Sequence, residues 1–131
     1  MHLLQARPGG YLDEDGIAYL PQDPAPLAIL SSADSEIALL ARALEGMGPD
    51  FPQVRLANWL ILRQHAAIDL YCDEVLAQAR VVVVSLLGGR NYWPYGVERL
   101  EGLARERGAA LILVPGDDQP DPELFQRSTV P

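Results

Sequence analysis

The sequence predicts an α/β protein: an open, mostly parallel four-stranded sheet with flanking helices, preceded by a small N-terminal hairpin. Three observations carry this. Short apolar runs at 27–30, 54–57, 81–87 and 110–114 alternate with segments whose apolar residues recur at helical spacing. Glycine and proline punctuate the junctions, at Gly46-Met47-Gly48-Pro49, Gly88-Gly89 and Pro115-Gly116. The run Val81-Val82-Val83-Val84 is β-branched and apolar on both faces, the pattern of a central parallel strand covered by helices. At 131 residues and 49% hydrophobic, the chain fits one compact domain and is not a disordered one.

In chain order, Leu3-Leu4 and Ile17-Ala18-Tyr19-Leu20 flank the turn signals Pro8-Gly9-Gly10 and Asp13-Glu14-Asp15-Gly16, which predicts a hairpin. Pro21, Pro24 and Pro26 make a stiff connector. Leu27–Leu30 is a buried strand. It ends in Ser31-Ser32-Ala33-Asp34, where Ser32 or Asp34 is expected to cap the next helix. Ile37, Leu40, Ala41 and Leu44 line that helix, and Gly46 and Gly48 stop it. Val54–Ala57 is a second strand; Trp59–Leu62 reads equally as strand extension or helical turn. Ile68, Tyr71, Cys72, Val75, Leu76 and Ala79 form the next apolar stripe, with His65 near its start. After the strand at 81–87, a helix is expected from about Gly96 to Arg107, with Glu101 and Arg105 able to pair at i,i+4. Ala110–Val114 is the last strand, and one helical turn is expected near Glu123-Leu124-Phe125. The alternation implies right-handed crossovers and a flavodoxin-like or Rossmann-like sheet, the flavodoxin-like order being the first expectation. The organisation expected is a hairpin and proline connector over 1–26, an α/β body over 27–115 and an acidic tail over 116–131.

Eighteen acidic against ten basic residues give a net charge of −8, and every basic residue is arginine. That balance argues against nucleic acid or an anionic membrane as partner. The longest apolar run is too short to span a bilayer, and the first residues lack the pattern of a secretory signal. With Cys72 alone there is no internal disulfide, so a cytoplasmic location is expected.

In an open parallel sheet, ligands bind beyond the carboxyl ends of the strands. Three loops should meet there: Ser31, Ser32 and Asp34; Gly88, Gly89, Arg90, Asn91, Tyr92, Trp93 and Tyr95; and Asp117 with Asp118. The middle loop stands out. Arg90 is a permanent cation with a forked donor set, and three aromatic rings lie within four residues. The cluster suits a large, flat, acidic ligand. The favoured reading, however, is an aromatic plug in which Trp93 and Tyr92 fold back to close the sheet end, with a subunit interface next. Ser31–Asp34 reads as capping more readily than as a phosphate cradle, because no glycine-rich fingerprint precedes the helix. Asp117 and Asp118 could hold a hard cation, or simply be solvated. His2, His65 and Cys72 lack metal-ligand spacing, and no nucleophile–base set assembles. No catalytic residue and no metal ligand is assigned, and the residues read as a binding or assembly domain.

The stretch Leu86-Leu87-Gly88-Gly89-Arg90-Asn91-Tyr92-Trp93-Pro94-Tyr95-Gly96 resembles the N-terminal region of the CobN cobaltochelatase subunit family. Pro8-Gly9-Gly10, Ser31–Asp34, Arg55–Asn58, Asp69–Tyr71 and Pro115–Asp118 agree in the same order, so the resemblance covers nearly the whole chain. It implies a role in aerobic cobalamin synthesis. There the family's enzyme, related to the magnesium chelatases, inserts cobalt(II) into hydrogenobyrinic acid a,c-diamide. ATP hydrolysis would come from an AAA+ ATPase subunit working with a second small chelatase subunit. Members are many times longer than this chain, so the resemblance implies a fragment that works with the remainder of the large subunit. It would carry no cofactor of its own.

Overall fold

The computed structural model describes residues 11–12, 18–19, 22–88, 92–117 and 120–129. Two short strands, β1 (Tyr11–Leu12) and β2 (Ala18–Tyr19), pair antiparallel. The second apolar stretch of the expected hairpin thus pairs with Tyr11–Leu12; Leu3, Leu4, Pro8–Gly10 and Asp13–Gly16 lie outside the described residues. The body follows as β3 (Leu27–Ser31), α1 (Asp34–Glu45), β4 (Val54–Asn58), α2 (His65–Glu74), β5 (Val81–Leu86), α3 (Pro94–Arg107), β6 (Ala110–Pro115) and α4 (Pro122–Arg127). Single 3₁₀ turns at Trp59–Leu62 and Leu76–Gln78 flank α2. The first of these settles the ambiguity at Trp59 in favour of a helical turn.

The four long strands are all parallel, in the order β4-β3-β5-β6. That is the flavodoxin-like order, with its switch point between β3 and β5. Right-handed crossovers then fix which helix covers which face. α2 and α3 share one face, where Ala28, Leu30, Val82, Val84, Leu86, Leu111 and Leu113 are buried against them. α1 lies on the other face, against β4 and β3, with Ile37 as its buried anchor. The residues of β5 and β6 that alternate with the buried set are only half-buried, Val83, Ile112 and Val114 among them. The expectation that β5 is fully covered on both faces is thus corrected: one face is sealed and one is not.

Local details follow from chain chemistry. α3 starts two residues earlier than expected, because Pro94 at its first position has no N–H to leave unpaired. Gly108 ends it in the left-handed conformation, φ 74°, which a side chain would oppose. The expected cap of α1 is also corrected. Ala33 occupies the cap position with no side-chain bond; Ser31 Oγ accepts from Ala33 N at 3.1 Å, and Asp34 is held by Asn58 instead. Glu101 does not rest on Arg105 as expected but pairs with Arg127 at 2.9 Å. That bridge ties α4 to α3. Leu124 of α4 is fully buried in the main core, and Ser128 and Thr129 hydrogen-bond along the outer edge of β6. The segment after β6 thereby covers an edge that would otherwise offer unpaired backbone.

Two measurements check this packing. Leu113→Ala should lower stability by about 2–5 kcal/mol, read from urea unfolding with an unchanged slope, whereas Val83→Ala on the half-covered face should cost less. Alkaline pH should destabilise the fold. Burial pushes the Cys72 thiol from its ordinary value near 9 up to about 12, and burial also raises the Tyr71 phenol. Both groups fold in the neutral form. The unfolded chain ionises first, so their contribution is intact below about pH 9 and is lost as pH rises through the interval up to about 12. Cys72→Ala should remove the earliest part of that decline in urea midpoints.

Candidate functional site

The carboxyl end of the sheet is built from four chain segments, those that follow β3, β4, β5 and β6. Two indoles occupy it. Trp59 follows β4 directly and Trp93 precedes α3. Their rings stack with centroids 5.3 Å apart and planes 17° from parallel. Both are almost wholly buried, at 1% and 2% exposure. Trp59 Nε1 donates to the Ser85 carbonyl at 2.8 Å, and Trp93 Nε1 donates to the Leu62 carbonyl at 3.1 Å.

The first of these bonds has a specific backbone origin. The Leu86 carbonyl accepts from Gly116 N, so it faces β6. Alternation along the strand turns the Ser85 carbonyl toward β3. But the pairing of β3 with β5 ends at Leu30 and Val84, leaving that carbonyl without a strand partner. Trp59 supplies the missing donor. The pair is fitted against bare backbone: a Cβ at Gly96 would run into the Trp93 ring.

Beside the indoles, Asn58 joins the ends of β3 and β4. Its Oδ1 accepts from Leu60 N, and its Nδ2 donates to Asp34 Oδ1 at 2.8 Å and to the Ser32 carbonyl at 3.4 Å. The Ser32 carbonyl and Asp34 are therefore tied to Asn58, while Ser31 Oγ accepts separately from Ala33 N. On the outside, Tyr95 Oη donates to the Asp69 carboxylate, 2.7 and 2.9 Å from its oxygens, and its ring stacks on His65 at 3.7 Å. Arg99 bridges Asp69 at 3.1 Å and Asp73 at 3.3 Å. The Asp69 carboxylate, by accepting this bond, raises the Tyr95 phenol above its ordinary value. The sequence signal for this network was available: Asp69 and Asp73 stand i,i+4 on α2, and Tyr95 and Arg99 stand i,i+4 on α3.

Of the residues singled out from the sequence, Trp93 is in the core and Tyr95 is half-buried and tied to α2. Tyr92 is 61% exposed, its ring laid over Gly88. Asp117 is exposed. Gly89, Arg90, Asn91 and Asp118 lie outside the described residues. Trp59, which the loop argument overlooked, is the other half of the plug. Exposed Leu60 and Leu87 lie on the reversals at this end of the sheet. The described residues hold no group of three or more His, Cys, Asp or Glu arranged to grip a metal ion. No helix among them is long and apolar enough to cross a membrane.

No family model matches the chain. The aerobic cobaltochelatase subunit CobN of Pseudomonas aeruginosa is 56% identical over all 131 residues, and that of a Sinorhizobium species is 35% identical over 130. The chain belongs to the CobN cobaltochelatase subunit family. It spans about a tenth of the length of these CobN relatives, matching 100% and 99% of itself to 10% of each. Among solved structures, the catalytic subunit of cobaltochelatase from Mycobacterium tuberculosis is similar, with a TM-score of 0.58 and 30% identity. That match covers 79% of this chain and 8% of the other. The CobN-like stretch from Leu86 to Gly96 contains the plug residue Trp93 and the network residue Tyr95, so much of its distinctive composition serves packing in this fold.

The plug can be tested directly. Trp59→Phe keeps the ring but strands the Ser85 carbonyl, and should cost about 1–3 kcal/mol in urea unfolding. Gly96→Ala should displace Trp93 and red-shift its emission, because the added methyl group meets a ring that is itself packed.

Proposed function

We propose that this chain is the N-terminal part of a cobaltochelatase large subunit and serves it as a docking domain without a complete active site. In this reading the parent subunit takes part in ATP-dependent insertion of cobalt(II) into hydrogenobyrinic acid a,c-diamide, in aerobic cobalamin synthesis. Its partners there are an AAA+ ATPase and a second small chelatase subunit, with cobalt(II) as the metal substrate. The whole works in the cytoplasm, in keeping with one free, buried cysteine. One observation supports a docking role above all. The end of the sheet where a ligand would enter is occupied by the chain's own stacked Trp59 and Trp93.

A second reading is favoured by Tyr92. It stands exposed beside that plug, in the loop that carries Arg90, and the two could together contact a carboxylate-rich corrinoid.

An absorbance and fluorescence titration of the chain with hydrogenobyrinic acid a,c-diamide separates the two. The docking reading expects no saturable change in tryptophan emission or in the corrinoid band. Saturable quenching that is lost in Arg90→Ala would replace it with a ligand-binding role.

A further inference from the structure

The half-covered sheet face supplies the next step, which rests on the docking reading above. An all-parallel sheet is stable when both faces are covered. Among the described residues, α2, α3 and α4 contribute to one core, and α1 alone lies on the opposite face, over β4 and β3. Among the described residues, no helix covers β5 and β6 on that side. The register lines up Ile29, Val83 and Ile112 across three strands, with Val81 beside Ala110 below them and Ser85 beside Val114 above. All of these are half-buried, and none carries a charge.

We propose that this strip is the docking surface for the rest of the large subunit, and that its occupant is one amphipathic helix of that polypeptide lying beside α1. Size selects this occupant. The half-covered rows extend about 13 Å along β5 and β6 and, with Ile29 at the margin next to α1, about 10 Å across. That matches the width of one helix with side chains, about 10–12 Å. It falls far short of the roughly 800 Å² that each partner contributes to a stable association between separate proteins. A segment tethered in the same chain needs far less area, because it does not lose the freedom of a separate molecule on docking. Charge disfavours the competing occupant, a second copy, because two chains of net charge −8 repel. Length allows the proposed one, since nine-tenths of each CobN relative lies beyond the part that this chain matches.

The test uses this chain alone and a full-length protein in which it replaces the matching tenth of Pseudomonas aeruginosa CobN. Ile112→Cys and Val83→Cys are introduced separately, with Phe125→Cys on exposed α4 as control. N-ethylmaleimide labelling is followed by peptide mass spectrometry. The native thiol gives little background, since Cys72 is buried. Labelling at 112 and 83 should be at least about ten-fold slower in the full-length protein, with the control little changed. Equal rates at 112 and 83 in both settings would overturn the assignment of this face. Hydrogen exchange over the whole domain then tells why. New protection elsewhere, at Phe125 for example, would keep the docking reading and move its surface; no new protection anywhere would remove the docking reading as well. If the isolated chain sediments as a dimer with Ile112→Cys already protected, the occupant is a second copy and the proposal fails.

Discussion

A parallel sheet must be covered on both faces, and the right hand of each crossover decides which helix does the covering. In the order β4-β3-β5-β6, the step from β3 to β4 runs one way and the two later steps run the other. α1 therefore falls on one face, and α2 and α3 on the opposite one. Everything else in this chain follows from that split. The shared face of α2 and α3 becomes the core, with Leu30, Val84 and Leu113 fully buried. Among the described residues, the face of α1 receives one helix for four strands. A longer doubly wound sheet would return with another helix on that side. Here α4 instead packs its Leu124 into the existing core and its Arg127 against Glu101.

The same split opens a gap at the carboxyl end of the sheet, where β3 and β5 send their chains to opposite faces. In such folds that gap is the usual ligand crevice. It also creates a backbone problem, since a carbonyl on β5 loses its neighbour once β3 has turned away. Ser85 is that residue, and the Trp59 indole answers it. One side chain thus satisfies the orphaned acceptor and brings the largest apolar surface available into the gap. Trp93 stacks on it and donates in turn to Leu62, which anchors the 3₁₀ turn that carries Trp59. The plug closes on itself, through two hydrogen bonds and one ring contact.

Much of this was legible in the sequence, and the parts that were not share a cause. Apolar periodicity located every strand and helix of the body, because burial of one face is a local pattern. The strand order was not fixed by alternation and handedness alone; the flavodoxin-like order was the first expectation, and the sheet adopts it. The aromatic loop was visible as a cluster, but its composition fits both a plug and a ligand platform. What decides for Trp93 is the partner, and Trp59 lies 34 residues earlier in sequence. Ala33 in place of Ser32 or Asp34 as cap of α1 has the same origin. Asn58, on a neighbouring strand, claims the Asp34 carboxylate that would otherwise have capped locally. The valine run misled in a different way. Four consecutive β-branched residues state that a strand is apolar on both sides, not that both sides are covered within the same stretch of chain.

That mismatch between apolar composition and cover is itself informative. A half-buried residue such as Ile112 or Val83 gains less for an isolated domain than a fully buried one, and an uncovered apolar face raises the risk of association. Polar residues there would cost little, since the opposite face alone provides the core. The chain does place charge freely elsewhere, with acidic residues concentrated before residue 27 and after residue 115. Keeping one strip uncharged on so acidic a protein is what a surface needs if it is to be desolvated against its own polypeptide while the rest of the molecule stays in water. The plugged carboxyl end and the half-covered face are then two sides of one arrangement: two indoles fill the place where small ligands usually enter, and β5 and β6 keep an uncharged face that, on the docking proposal, receives a further helix.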